Sequence, residues 1–419
     1  MNLRVGLPAG AAKNFMRLLS GTALGQVLVI AATPIISRLY RPDALGQFAV
    51  VLSFVALAST SSSLRFDIAI VNERSEDVAR TLFTLSLLLC APMGLAWGLG
   101  FLVVNRFGVA GFGGISPWSA VAVAMMLVVT GWFSVLRYWH IRSGNFGVVG
   151  KAQVANGAGR AILPVLTGFV RTDWVGLLIG EFVGRWLGIW RLWRSATVPL
   201  SMQNISVPAL RLMVRRHWKY PAVLLPSSLI DAFAQNLAIP ALAALFGLGV
   251  AGQYALVNRV AMAPASLIGA SAADVFQWEL RDVPPSERRQ NLWRYSLRLL
   301  LIGVAIYTPA ALLAPWLTAT LLGEEWKNAG TMLTLLAPAY IAMFVVSPLS
   351  RALLLSGHME LKLLGDAACL VIPFAALFAL ADRSLWIALA AYGAGVVCAY
   401  VIYFCVIVYA VSIDRAEGS

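Results

Sequence analysis

Apolar stretches of about 20 residues recur along the whole chain, and cations collect in every second gap between them. A bilayer core ~30 Å thick is crossed by ~20 apolar residues in a helix. The pattern predicts twelve spans, at 18–38, 44–64, 81–104, 118–138, 148–170, 173–194, 220–246, 249–279, 292–314, 329–354, 361–381 and 384–411. They must be helices, because lipid offers backbone N–H and C=O groups no partner. A membrane barrel would instead alternate over ~10-residue segments. The expected fold class is therefore all-α and polytopic.

Lysine and arginine set the orientation. Of the 32, 23 fall in the tails and on the inner side. Six lie in outer gaps (Arg38, Arg41, Arg106, Arg171, Lys327 and Arg383) and three inside spans (Arg160, Arg185 and Arg259). Both termini are expected on the cytoplasmic side. The net charge of +13 then reports topology, and nucleic acid is not an expected partner. The first apolar run follows Arg4, Lys13 and Arg17. It is too long for a signal peptide and lacks a small-residue cleavage site, so it is expected to stay as the first helix.

Composition excludes a water-soluble protein: 60% of the 419 residues are apolar and 12% charged, against about half and a quarter in soluble domains. No connection leaves room for a catalytic domain, and no enzyme is expected. The segment GNFGVVGKA at 144–152 approaches a phosphate-binding loop. It has one residue too many, and alanine where serine or threonine would hold Mg²⁺. The four cysteines, Cys90, Cys369, Cys398 and Cys405, lie inside spans without metal-ligand spacing. They read as packing residues, with no metal or cofactor expected.

The chain repeats itself at an offset of 206: ATPIISRLYRPDALGQFAVV (32–51) aligns without gaps on AIPALAALFGLGVAGQYALV (238–257). A weaker echo pairs Ser143-Gly144 with Ser356-Gly357. The repeat implies two six-helix halves of like orientation, 1–194 and 220–419. Such repeats are typical of secondary transporters. Pro34 and Pro240 each remove a helix hydrogen bond in the first span of a half, which makes them candidate hinges; static kinks are the plainer alternative. Between the halves, residues 195–219 carry Arg211, Arg215, Arg216 and Lys219 among Leu210, Met213, Val214 and Trp218. This is either a helix lying on the anionic inner leaflet or a solvated linker. The 281–298 connection, with Arg288, Arg289, Arg294 and Arg298, is similar.

Ionisable residues at membrane depth cost roughly 2.5–3.5 kcal/mol each on insertion scales and need a reason. Glu181 and Arg185 are four apart, so they share a helix face as a structural ion pair. Gly176, Gly180, Gly184 and Gly188 form a stripe on the same helix that lets a neighbour approach closely. Arg160 and Arg259 have no acidic partner within their own helices. With Arg38 and Arg65 at helix ends, they are candidates for binding phosphate, whose oxygens match the guanidinium fork. Snorkelling to headgroups is the plainer reading for Arg38 and Arg65. Asp231, with Asn236 nearby, and Asp366 are candidates for holding Na⁺ or carrying a proton, or for simple hydrogen bonding between helices. Asp67 and Asp274, near inner helix ends, are expected to be solvated.

The segments RLYRPDALGQFAV (38–50), LRFDIAI (64–70) and RSGNF (142–146), in this order and spacing, resemble the Wzx-type flippases of O-antigen and exopolysaccharide repeat units. That family shares a superfamily with multidrug and toxin extruders and lipid II flippases. The resemblance implies two six-helix bundles in an inverted V around a cationic central cavity, in the bacterial inner membrane. The implied cargo is an undecaprenyl-pyrophosphate-linked oligosaccharide, moved from the cytoplasmic to the periplasmic leaflet by alternating access for lipopolysaccharide or exopolysaccharide synthesis. In lipid II relatives a Na⁺ site lies among spans 7, 11 and 12, and Asp231 and Asp366 fall on two of these. A Na⁺ or H⁺ gradient, or the membrane potential, would supply the drive. Moving two negative charges outward releases roughly 4–5 kcal/mol at about 100 mV. Implied partners are membrane lipids, a polysaccharide polymerase and a chain-length regulator. The alternative is a cation-coupled drug extruder of the same fold, whose cavity should be acidic. A polymerase or ligase should carry a large outer loop, and a scaffold has no use for asymmetric buried charges.

Overall fold

The computed structural model describes residues 9–195, 207–269, 272, 276, 285–350, 353 and 359–417. Among these there is no β-strand, and fifteen α-helices carry the fold. They are α1 (Ala9–Leu39), α2 (Pro42–Ser59), α3 (Phe66–Asn72), α4 (Glu76–Arg106), α5 (Ser119–Arg142), α6 (Phe146–Gly168), α7 (Trp174–Arg194) and α8 (Val207–Arg216). They continue with α9 (Leu225–Asn236), α10 (Ala238–Phe246), α11 (Leu248–Pro264), α12 (Pro285–Leu317), α13 (Lys327–Leu349), α14 (Met359–Ala379) and α15 (Leu385–Glu417).

Every predicted span falls on a helix or a broken pair, but the helices are not equally apolar. Among the described residues eight are long and apolar enough to cross a membrane, or nine if the bent pair Tyr220–Asn236 and Ala238–Phe246 is one span. The helices α6 and α7 are outside that count. At ~1.5 Å per residue they are long enough. Their glycines and their charges, Lys151, Arg160, Glu181 and Arg185, make them too polar. The remainder of the predicted span 249–279 beyond Gly269 lies outside the described residues except Ala272 and Phe276.

Two spans are broken. The second divides at residues 60–65, where Leu64 (φ 51) and Arg65 (φ 66) adopt left-handed backbone. For L-residues that conformation costs roughly 1–2 kcal/mol each. The backbone there is tolerable because Ser61, Ser62 and Ser63 are buried in protein, not facing lipid. Trp97 Nε1 donates to Ser61 Oγ at 2.6 Å and helps hold the break. The seventh span bends by 43° between α9 and α10. A proline ring clashes with the carbonyl four residues back; for Pro240 that is Asn236, where α9 ends. Pro34, the other candidate hinge, lies inside the uninterrupted α1.

The internal repeat keeps its register in space. The first turn runs from Leu39 at the end of α1 to Pro42 at the start of α2. The second runs from Phe246 to Leu248, and the offset of 206 carries Pro42 onto Leu248. Ser356-Gly357, of the weaker echo, lies outside the described residues.

The chain divides into two compact units: Met1–Ala232 with Ile239–Gly249, and Phe233–Ala238 with Val250–Ser419. The first unit is closed by glycine. A Cβ on Gly21 would stand 2.5 Å from Gly150 Cα, and one on Gly157 would stand 2.5 Å from Gly25 Cα, so α1 and α6 touch backbone to backbone. On α7 the stripe Gly180, Gly184 and Gly188 meets Pro164, Arg160 and Phe133 in turn, and Gly176 meets the Tyr40 hydroxyl. A core of Phe66, Ile70, Leu82, Phe83, Leu136 and Leu192 completes this unit. Met213 of α8 is buried against it, while Arg211, Arg215 and Arg216 are exposed. Residues 207–216 thus form an amphipathic helix seated by its apolar side.

In the second unit α12 pairs with α13, α14 with α15, and α13 with α15. The basic run Arg288–Arg298 is part of α12 and not a loop.

Candidate functional site

Glu181 is buried, at 4% exposure, and both its oxygens are taken. Arg185 Nη1 donates to Oε1 at 2.5 Å, and Arg160 Nε, from the neighbouring α6, donates to Oε2 at 2.8 Å. Gly184 makes this geometry possible, because a Cβ there would sit 2.7 Å from Arg160 Cγ. Arg160, read from sequence as a cation without a partner, is therefore an ion-pair member. One carboxylate against two guanidiniums leaves the cluster a net positive charge.

The second cluster surrounds the break after α2. Asp67 is 4% exposed, which overturns its expected solvation. It accepts from Ser134 Oγ of α5 at 3.0 Å and from the Ile68 amide at 3.1 Å. Asp274 lies outside the described residues. Arg65 stands two residues before Asp67, and Arg137 one helical turn after Ser134. The Nε of each is buried with no hydrogen-bond partner. Sequence reading marked Arg65 and missed Arg137, which it took for one more topology cation. The available signal was the three-residue spacing of Arg137 from Ser134 on α5.

The remaining candidates are scattered. Arg38 is exposed in the last turn of α1, and Arg259 is half-buried on α11. Asp231 is half-buried on α9. Asp366 of α14 accepts from Lys362 Nζ, one turn earlier, at 2.5 Å and from Tyr403 of α15 at 2.9 Å. No group of three or more His, Cys, Asp or Glu side chains gathers as a metal site among the described residues.

Asn236 lines a cavity of about 250 Å³ inside the second unit, together with Asn258, Tyr254, Tyr340, Tyr392 and Tyr400. Neither Asp231 nor Asp366 lines it. Sequence reading missed the tyrosines, because they come from α11, α13 and α15 and share no spacing.

At the end that charge predicts to be cytoplasmic, the chain after α8 is tied to α3. His217 Nε2 lies 3.6 Å and Arg216 Nη2 3.7 Å from Glu73 Oε2. Asn72 Nδ2 donates to the Tyr220 hydroxyl at 3.2 Å. Burial pushes the His217 pKa down; Glu73 pulls it up and Arg216 lowers it further. Burial wins because 3.6 Å is beyond hydrogen-bond reach.

Residues 35–330 match a family described as polysaccharide biosynthesis protein. No curated protein matches the chain. Among solved structures, an inward-facing multidrug resistance MATE family transporter of the MOP superfamily gives a TM-score of 0.65 at 14% identity, covering 100% of this chain and 98% of that one. An outward-facing structure of the same description gives 0.58 at 14%, covering 98% and 97%. A mutant of the Vibrio cholerae MATE transporter VcmN gives 0.56 at 16%, covering 95% of each. These likenesses give the fold alone, and with the long apolar helices they make the chain a multi-pass membrane protein.

Proposed function

The chain belongs to the polysaccharide biosynthesis protein family, and on that premise we propose that it flips a polyprenyl-pyrophosphate-linked oligosaccharide from the cytoplasmic to the outer leaflet of a bacterial inner membrane. Alternating access, as in transporters that share this fold, is the proposed route. A polysaccharide polymerase and a chain-length regulator would take the product onward.

The observation that carries the chemistry is the pair of buried, unpartnered Nε atoms on Arg65 and Arg137 beside the helix break. Buried donors left without partners are costly, and a pyrophosphate supplies acceptor oxygens in number. Arg160 can add the N–H groups that Glu181 leaves unused. Arg38 and Arg259 stay in the proposed set on charge alone. Pro34 and Pro240 remain the proposed hinges, and the interrupted backbone beside Pro240 favours that one.

For coupling we favour the proton over Na⁺ at Asp366. A sodium ion would have to displace the Lys362 ammonium from the carboxylate, whereas a proton needs only to loosen that pair. Asp231 and Asn236 are retained as coupling candidates on their depth in the chain. The drug-extruder reading rests on fold likeness alone.

The test is a deletion strain in which lipid-linked oligosaccharide is quantified in each leaflet, alongside surface polysaccharide. Inner-leaflet accumulation, cured by the wild-type chain and not by well-expressed Arg65→Ala or Arg259→Ala, is expected. Cure by both variants would remove the arginine assignment. Normal distribution in the deletion strain, with no second flippase present, would overturn the flippase itself.

A further inference from the structure

The cavity inside the second unit has a composition that no pyrophosphate or metal ion would select. Its lining carries four phenols, from Tyr254, Tyr340, Tyr392 and Tyr400, and amides including Asn236 and Asn258. No charged side chain lines it. Without a cation it offers nothing to a phosphate, and without a carboxylate nothing offsets the desolvation of a metal ion; an organic cation, which aromatic rings can hold, is the competing occupant that the test below separates.

The polar groups are arranged and partly unused. The Tyr340 hydroxyl donates to Asn258 Oδ1 at 3.3 Å, and the Tyr254 and Tyr392 rings meet edge to face with centroids 6.5 Å apart. Tyr307, whose hydroxyl is anchored on the Ala261 carbonyl at 2.7 Å, stacks on Tyr340 at 6.1 Å and holds that ring in place. Tyr400 and Asn258, both half-buried, line the cavity, and among the described residues no protein hydrogen bond is made by the Tyr400 hydroxyl or the Asn258 amide nitrogen. A polar group that lines a cavity without a protein partner is open to a polar occupant. The volume of about 250 Å³ is below the ~300–1,000 Å³ of pockets for drug-sized ligands, so the occupant is a single small ring.

We propose that this cavity binds one neutral pyranose. A sugar ring has an apolar face that packs on aromatic rings and hydroxyls that both donate and accept, the two things this lining offers. The inference deepens the flippase reading and rests on it: the ring would be one residue of the lipid-linked oligosaccharide.

The test uses the full chain in lipid nanodiscs. Saturation-transfer NMR is run with glucose, galactose, N-acetylglucosamine and rhamnose, and with glucuronate and tetramethylammonium as charged probes of similar size. Saturable binding of at least one neutral sugar is expected, weakened tenfold or more in Tyr400→Phe and in Asn258→Ala, with no binding of the charged probes. Tyr400→Phe removes only a hydroxyl and keeps the packing. No neutral sugar bound, binding that both variants leave unchanged, or competition by tetramethylammonium would overturn the proposal. The leaflet assay separates free sugar from the lipid-linked form. Slower flipping by the two variants, with inorganic pyrophosphate binding unchanged, supports the cavity as a cargo subsite. Normal flipping by both variants overturns that role and leaves the flippase standing. A wild-type chain that does not flip, yet binds sugar, overturns the flippase and not the sugar site.

Discussion

Arg160 Nε meets Glu181 Oε2 at 2.8 Å across two helices, on a carboxylate whose other oxygen already holds Arg185. The bond joins residues 21 apart and sits where Gly184 lets α6 and α7 close. It converts a local ion pair into a clamp between helices.

Replacing Glu181 should therefore cost more than replacing either arginine. Glu181→Ala leaves two half-buried guanidiniums facing one another; breaking a fully buried pair from one side costs about 3–5 kcal/mol, and partial exposure here lowers that. Arg160→Ala leaves the Arg185 pair intact and should cost less. Thermal unfolding in detergent reads both. Equal losses would mean that Arg160 contributes as much as the carboxylate.

Gly184→Ala should destabilise by about 1–3 kcal/mol through overpacking, because the new Cβ would lie 2.7 Å from Arg160 Cγ and 2.9 Å from its backbone nitrogen. Gly100→Ala is the control. Nothing approaches its Cβ closer than 3.9 Å, so the helix should gain about 0.5–1 kcal/mol. A melting point lowered alike by both would show that glycine content, and not this contact, is what matters.

Arg65→Gly should raise the melting point while it lowers binding of inorganic pyrophosphate, measured by calorimetry. Glycine adopts φ 66 freely, which relieves roughly 1 kcal/mol of backbone strain, and the substitution removes the donor. A strained residue kept at a site is a mark of function. Lower stability with unchanged binding would make Arg65 a structural residue.

Acid should loosen the tie between α3 and the chain after α8. The folded protein holds His217 below its ordinary pKa by burial, so the unfolded chain binds the proton more readily. Stability is then full above the ordinary histidine value of about 6.5 and falls as pH drops through it, levelling below the folded value. Melting points between about pH 7.5 and about pH 5.5 should decline, and the decline should flatten in His217→Asn. An unchanged slope in that variant would assign the acid sensitivity to another group.

Several of these features are written along the chain. Hydrophobic runs marked where the helices lie, and glycines four apart on α7 marked a face of close approach. The spacing of Glu181 and Arg185 put them on one helical turn, and the repeat located two equivalent turns at Pro42 and Leu248. All are properties of neighbours in sequence, which helix geometry converts directly into neighbours in space. Only the tertiary structure decided that Arg160 completes the Glu181 cluster, that Asp67 is buried, that Arg65 is left-handed, and that four tyrosines meet around Asn258. These depend on how far each helix is rotated and slid against the next. That is fixed by packing at glycine seams and helix breaks, and it leaves no period in the sequence.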